Sequence, residues 1–133
     1  MNQKTHLFKL LTGFKTKAPH LLRGENAEQQ AEQFLADKGL KRVCRNFRCK
    51  QGELDLVMLD DQTLVIIEVR FRKSGKYGSA LESITRAKQS RIIAATQIYL
   101  SKQKTDRPVR FDVIAITGEG GIEWIPNAFY SSI

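Results

Sequence analysis

The stretch that decides the fold is Gly52-Glu53-Leu54-Asp55-Leu56-Val57-Met58-Leu59-Asp60-Asp61-Gln62-Thr63-Leu64-Val65-Ile66-Ile67-Glu68-Val69-Arg70. Two apolar runs flank a polar turn, which is the signature of a β-hairpin. The second run is apolar at four successive positions, so it reads as a buried central strand rather than a half-exposed one. Glu68 is out of place there. A buried carboxylate must find a cation, a hydrogen-bond set or a metal, or else shift its pKa and neutralise.

Side chains alternate along a strand, so Glu53 and Asp55 share a face, and Glu68 and Arg70 share a face. If Asp61-Gln62 is a two-residue turn, or residues 60–63 a four-residue loop, Asp55 stands opposite Glu68 with Cβ atoms about 4.5–5.5 Å apart. If Asp60-Asp61 is the turn, Glu53 opposes Glu68 and Asp55 becomes its diagonal neighbour. Only a three-residue loop separates the faces. Converging carboxylates repel, and a hard divalent cation relieves that conflict; Mg²⁺ takes one or two carboxylates plus water and phosphate oxygens. The Val69 carbonyl is a further candidate ligand. The competing reading is a structural ion network in which Arg70 and Arg48 neutralise Glu68 and Asp55. Arg70 could hold a phosphate oxygen but is a poor general base, because guanidinium does not deprotonate.

Outward from the hairpin, Leu40 to Cys49 reads as a preceding strand. Before it, Ala27, Ala31, Phe34 and Leu35 recur at helical spacing from Glu25, with Gly39 as the stop. Glu25 and Glu28 then fall in a first helical turn, where the dipole alone explains acids; Glu28 is also a candidate metal ligand. After the hairpin, Thr85 to Lys102 reads as a helix with Ile92, Ala95, Thr96 and Tyr99 on its apolar side. Val109 to Thr117 is a β-branched strand, and Ile122 to Ile125 a short last one. The class is α/β, with a mixed central sheet and element order α-β-β-β-α-β-β. Asp112 is expected to partner a nearby Arg at a strand edge.

The chain has 133 residues and a net charge of +8. That length suits one domain with its own core. Residues 1–23 carry Lys4, Lys9, Lys15, Lys17 and Arg23 with no acid, and read as a basic, flexible arm. Residues 24–133 form the single domain, with Pro19 and Gly24 marking the separation. Further cations cluster at 38–50 and 69–91, bracketing the acids. The excess favours a polyanionic partner. Arg86, Lys88 and Arg91 open the second helix, where cations oppose the dipole and phosphate binding favours them; Gln89 on the same stretch could orient a water. Cys44 and Cys49 are too few for a disulfide scaffold, and on a regular strand they face opposite ways, which fits a reducing, cytoplasmic setting. No apolar run approaches the roughly 20 residues of a membrane helix.

The ordered set Gly24-Glu25, Ala27-Glu28, Ala31, Phe34-Leu35, Gly39, Asn46-Phe47-Arg48, Gly52-Glu53-Leu54-Asp55-Leu56-Val57, Thr63-Leu64-Val65, Glu68-Val69-Arg70 and Arg110-Phe111-Asp112-Val113 resembles the YraN family of bacterial proteins. That family is regarded as predicted endonucleases of the restriction-endonuclease-like fold, distantly similar to archaeal Holliday-junction resolvases. The resemblance implies Asp55 and Glu68 as metal ligands, with Arg70 where the superfamily motif has lysine. It implies Glu28 as an added acid, and Lys88 and Gln89 as helix residues facing the phosphate. The expectation is a Mg²⁺- or Mn²⁺-dependent endonuclease acting on branched or single-stranded DNA. Arg48, Arg72, Arg86, Lys88, Gln89 and Arg91 would contact nucleic acid. The rival expectation is a nucleic-acid-binding protein that keeps the fold without the chemistry. Junction cleavage would favour a two-fold dimer.

Overall fold

The computed structural model describes residues 19–72 and 81–130. Its elements are α1 (Pro19–Asp37), β1 (Lys41–Cys49), β2 (Gly52–Asp60), β3 (Thr63–Arg72), a single 3₁₀ turn (Leu81–Ser83), α2 (Arg86–Gln103), β4 (Val109–Thr117) and β5 (Ile122–Phe129). They form one five-stranded sheet in the order β1-β2-β3-β4-β5. Only β3 and β4 run parallel, because α2 carries the chain back across the sheet between them. This is the mixed α/β architecture and element order that the sequence implies, and it agrees with a nuclease-like fold.

The helices cover opposite faces. Ala27, Ala31 and Leu35 of α1 pack on Leu56, Met58, Val65, Ile67, Ile114 and Ile116. Ile92, Ala95 and Tyr99 of α2 pack on Leu54, Val57, Leu64, Ile66, Phe111 and Phe129. Central strands covered on both sides need apolar residues at every position, which explains the uninterrupted run at Leu64–Ile67.

Helix ends follow local chemistry. α1 stops at Gly39, whose φ of +102° suits a residue without Cβ; Leu40 N–H reaches Leu35 O and Gly39 N–H reaches Ala36 O, both at 3.0 Å, a Schellman closure. α2 starts at Thr85, whose Oγ1 accepts from Lys88 N–H at 3.1 Å.

Four expectations change. α1 begins at Pro19, because proline is tolerated at a first helical position where its missing N–H is not needed. The last residues of the expected arm are therefore helical in backbone, while its positions 1–18 lie outside the described residues. The first turn of α1 holds no acid, so Glu28 lies mid-helix and the dipole does not explain it. β5 continues past Pro126 to Phe129, since an edge strand tolerates proline and the register shifts between Phe111 and Val113 to absorb it. Finally, Cys44 and Cys49 both pack into the cluster under α2, because Asn46 between them takes a left-handed φ of +58° and breaks the alternation. Both thiols are free.

Candidate active site

The site is built where β2 parts from β3. The hairpin turns at Asp61-Gln62, and its register runs from Asp60↔Thr63 to Leu56↔Ile67. Of the registers open in the sequence, this is the one that aligns Asp55 with Glu68. Those two residues do not continue the ladder. Instead the Asp55 Oδ2 accepts the Val69 N–H at 2.9 Å, taking the part that a strand carbonyl would otherwise play.

The distortion extends to β1. Arg45↔Leu56 and Phe47↔Leu54 are paired, and the skipped position between them sets Asn46 against Asp55. Leu54 and Val57 both pack toward α2, whereas Leu56 and Met58 pack toward α1. The in–out alternation therefore slips at Asp55, and its carboxyl enters the gap between strands rather than joining either face.

Glu68 points to the α2 side and is only 5% exposed. Its Oε2 lies 3.2 Å from Arg70 Nη1 and 3.4 Å from Lys88 Nζ. Among the described residues no such cation pairs with Asp55. Burial, then the negative charge of Glu68, push the Asp55 pKa up to about 8; the Val69 N–H opposes the shift and Glu28 adds to it. A side-chain interaction with the Glu68 carboxyl adds a last, smaller push on Asp55 in the same direction. Glu28, on α1, thus reaches the same gap electrostatically from the other face.

Arg70 is tied down. Its Nε donates to Ser83 Oγ at 3.1 Å, its Nη2 to Ser83 O at 3.2 Å, and its Nη1 to Glu68 at 3.2 Å. It fastens the 3₁₀ turn ahead of α2 to the carboxylate. Gln89 has a similar task, donating from Nε2 to Ile84 O at 3.2 Å. Ser83 was not singled out in the sequence, and no local pattern marks it. Arg48 pairs with Glu53 at 3.3 Å, both of them well exposed, and not with Asp55. The expected ion network therefore forms around Glu68 alone. Arg91 and Arg86 lie exposed on α2, and Arg72 is half-buried at the end of β3.

Asp112 is fully buried in the middle of β4 rather than at an edge. Arg110 grips it with two hydrogen bonds of 3.0 Å, while Trp124 Nε1–H and Asn127 N–H each donate at 2.9 Å. It is a structural residue.

Among the described residues no three His, Cys, Asp or Glu side chains gather closely enough to hold a metal ion by themselves, and no helix is long and apolar enough to cross a membrane.

Comparison with known proteins places this arrangement in a lineage. The chain is 48% identical over 117 residues to a UPF0102 protein of Nitrosococcus oceani, covering 84% of this chain and 94% of the relative. It is 50% identical to one from Saccharophagus degradans, covering 84% and 96%, and 53% identical to one from Hahella chejuensis, covering 80% and 88%. Residues 27–116, which include the second half of α1, the hairpin, all of α2 and nearly all of β4, match the family model described as "Uncharacterised protein family UPF0102". The chain therefore belongs to the UPF0102 family, the family named YraN in the sequence resemblance.

Proposed function

We propose that the chain is a divalent-metal-dependent endonuclease that hydrolyses phosphodiester bonds in DNA carrying branched or single-stranded regions. The observation that supports this reading most is the crowding of Asp55 and Glu68 in the gap between β2 and β3, with the Asp55 carboxyl pushed up to about 8. A fold gains nothing from two carboxyls forced together in a buried place, and such perturbed groups concentrate at functional sites.

The donor set suits Mg²⁺ or Mn²⁺. Asp55 and Glu68 would hold the ion, with Val69 O as a further oxygen donor and Glu28, whose charge already acts on Asp55 from α1, joining through a bound water. The absence of a third close ligand among the described residues fits a hard cation that keeps water and takes phosphate oxygens, and does not fit a closed zinc site. Bound there, the ion would polarise the phosphoryl oxygens and make a water more acidic.

The chain's own residues would do the rest. Val69 N–H fixes the Asp55 carboxyl, and Arg70 fixes Glu68 while bracing the turn before α2. Lys88, a third exposed and ion-paired to Glu68, is the cation free to swing toward a phosphate oxygen, since an ammonium rotates where a doubly anchored guanidinium does not. Arg48, Arg86, Arg91 and Arg72 would neutralise flanking phosphates. Cleavage assays on nicked, flapped and junction DNA with Mg²⁺ or Mn²⁺ test this. Wild type should cut and Asp55→Ala and Glu68→Ala should not; equal traces from all three would mean contamination.

A second reading is binding without cleavage. It is supported by Glu68 already being neutralised by Arg70 and Lys88, and it predicts salt-sensitive DNA affinity with no heat on titration with Mn²⁺.

A further inference from the structure

A cavity of about 410 Å³ lies between the tip of the β1–β2 hairpin and the first half of α2. We propose that it holds one unpaired nucleotide of a DNA strand, next to the phosphate acted on at Asp55 and Glu68, so that the enzyme selects DNA with an unpaired strand at the cleavage point. The inference rests on the nuclease reading and adds to it the place where an unpaired strand is recognised.

Three features carry it. Lys88 lines the cavity and also pairs with Glu68, so the cavity opens beside the carboxylate gap. Among the described residues its rim is cationic: Arg48, Lys88 and Arg91 against a single acid, Glu53, whose charge Arg48 already offsets. Its floor is Ile92 and the half-exposed Cys49. Phosphate at the rim and a base against the floor are the two halves of a nucleotide.

Size then separates single strand from duplex. Residues 88–92 of α2 span about 6 Å along the helix axis, under two base steps of ~3.4 Å. Gly52 closes one side. A Cβ on it would come 3.0 Å from the Arg91 carbonyl oxygen, so the hairpin tip rests directly on the helix backbone. A paired base would bring its complement into that wall. Among the described residues no aromatic side chain lines the cavity, and Arg48 and Arg91 do; the base would stack on one of their guanidinium planes, which discriminates little between bases.

Cys49 supplies a readout that does not depend on catalysis. The full-length protein, without divalent metal, is treated with a thiol-alkylating reagent in the presence of single-stranded oligothymidylate, duplex DNA of the same length, or single-stranded RNA. Peptide mass mapping reads Cys49 separately from Cys44. The single strand should slow alkylation of Cys49 severalfold and leave Cys44 unchanged, duplex should do much less, and Arg91→Ala should remove the protection. Equal protection by duplex, protection by RNA alone, or none at all overturns the inference. Asp55→Asn should keep the protection while losing cleavage. Protection without wild-type cleavage would sink the nuclease reading but keep the nucleotide cavity; cleavage of intact duplex as fast as of flapped DNA would sink the cavity's role and keep the nuclease.

Discussion

Asp55 and Asp112 are the same residue in similar backbone surroundings, put to opposite use. Each interrupts the ladder of a strand buried in the sheet. Each accepts a backbone N–H across the break, from Val69 at 2.9 Å and from Asn127 at 2.9 Å. Each has a left-handed asparagine on the neighbouring outer strand, Asn46 at φ +58° and Asn127 at φ +56°. What differs is the remaining complement. Asp112 gains a forked Arg110 and the Trp124 indole N–H, so both its oxygens are satisfied. Asp55 meets Glu68 and the charge of Glu28. One site completes its hydrogen bonds within the protein; the other leaves a charge conflict that an outside cation would resolve.

The largest effect should come from breaking the satisfied site. Asp112→Ala strands the Trp124 and Asn127 donors and leaves Arg110 with only Asp60, 3.1 Å away. Breaking a buried pair in this way costs about 3–5 kcal/mol, to be read as a lower urea midpoint. A loss under about 1 kcal/mol would mean that the comparison overstates how tightly β4 and β5 are pinned.

Filling the unsatisfied site should work in the opposite direction. Mn²⁺ at about a hundredfold over its dissociation constant should raise wild-type stability by roughly 2.7 kcal/mol, seen as a higher Tm. Glu68→Ala should show no such rise.

Next in size is Asp55→Asn. The folded-state pKa of Asp55 lies above its unfolded value, so the folded protein holds the proton more tightly. Stability on this account is full below about pH 4 and is lost as pH rises through about 8. Asparagine keeps an oxygen for the Val69 N–H and offers Glu68 a donor in place of a charge. The variant should therefore gain about 1–2 kcal/mol at pH 8 and flatten the decline of Tm between pH 5 and 9, while losing cleavage. A variant less stable than wild type at pH 8 would mean that the two carboxyls do not repel.

How much of this was legible follows from where the chain obeys alternation. The apolar run at Leu64–Ile67, the helical spacing of Ile92, Ala95, Thr96 and Tyr99, and the turn options around Asp61 brought out the sheet, the second helix and the meeting of Asp55 with Glu68. The misplacement of Cys44 and Cys49 has one cause: the two-residue period fails at Asn46, and a period-based reading carries no sign of a left-handed residue inside a strand. The fork of Arg70 onto Ser83 was hidden for another reason. It joins two parts of the chain thirteen residues apart across a loop, a contact that no local pattern encodes. Glu28 looked like a dipole acid only because the helix was started six residues late.

The two asparagines give the smallest and finest test. Both side chains are exposed, so replacing them removes little packing and reports mainly on the left-handed backbone. Asn46→Ala and Asn127→Ala should each cost about 1–2 kcal/mol, because a Cβ without a local polar group disfavours that conformation, whereas the glycine variants should lie within about 0.5 kcal/mol of wild type. The contrast lies in the coupling. Asn127 N–H is bound by Asp112, so its cost should shrink in the Asp112→Ala background, by at least about 0.5 kcal/mol in a double-mutant cycle. Asp55 takes its N–H from Val69 and not from Asn46, so Asn46→Ala and Asp55→Asn should add to within about 0.5 kcal/mol. Strong coupling at Asn46 would show that β1 also holds the carboxylate gap open, and that the two breaks are alike in their mechanics as well as in their backbone.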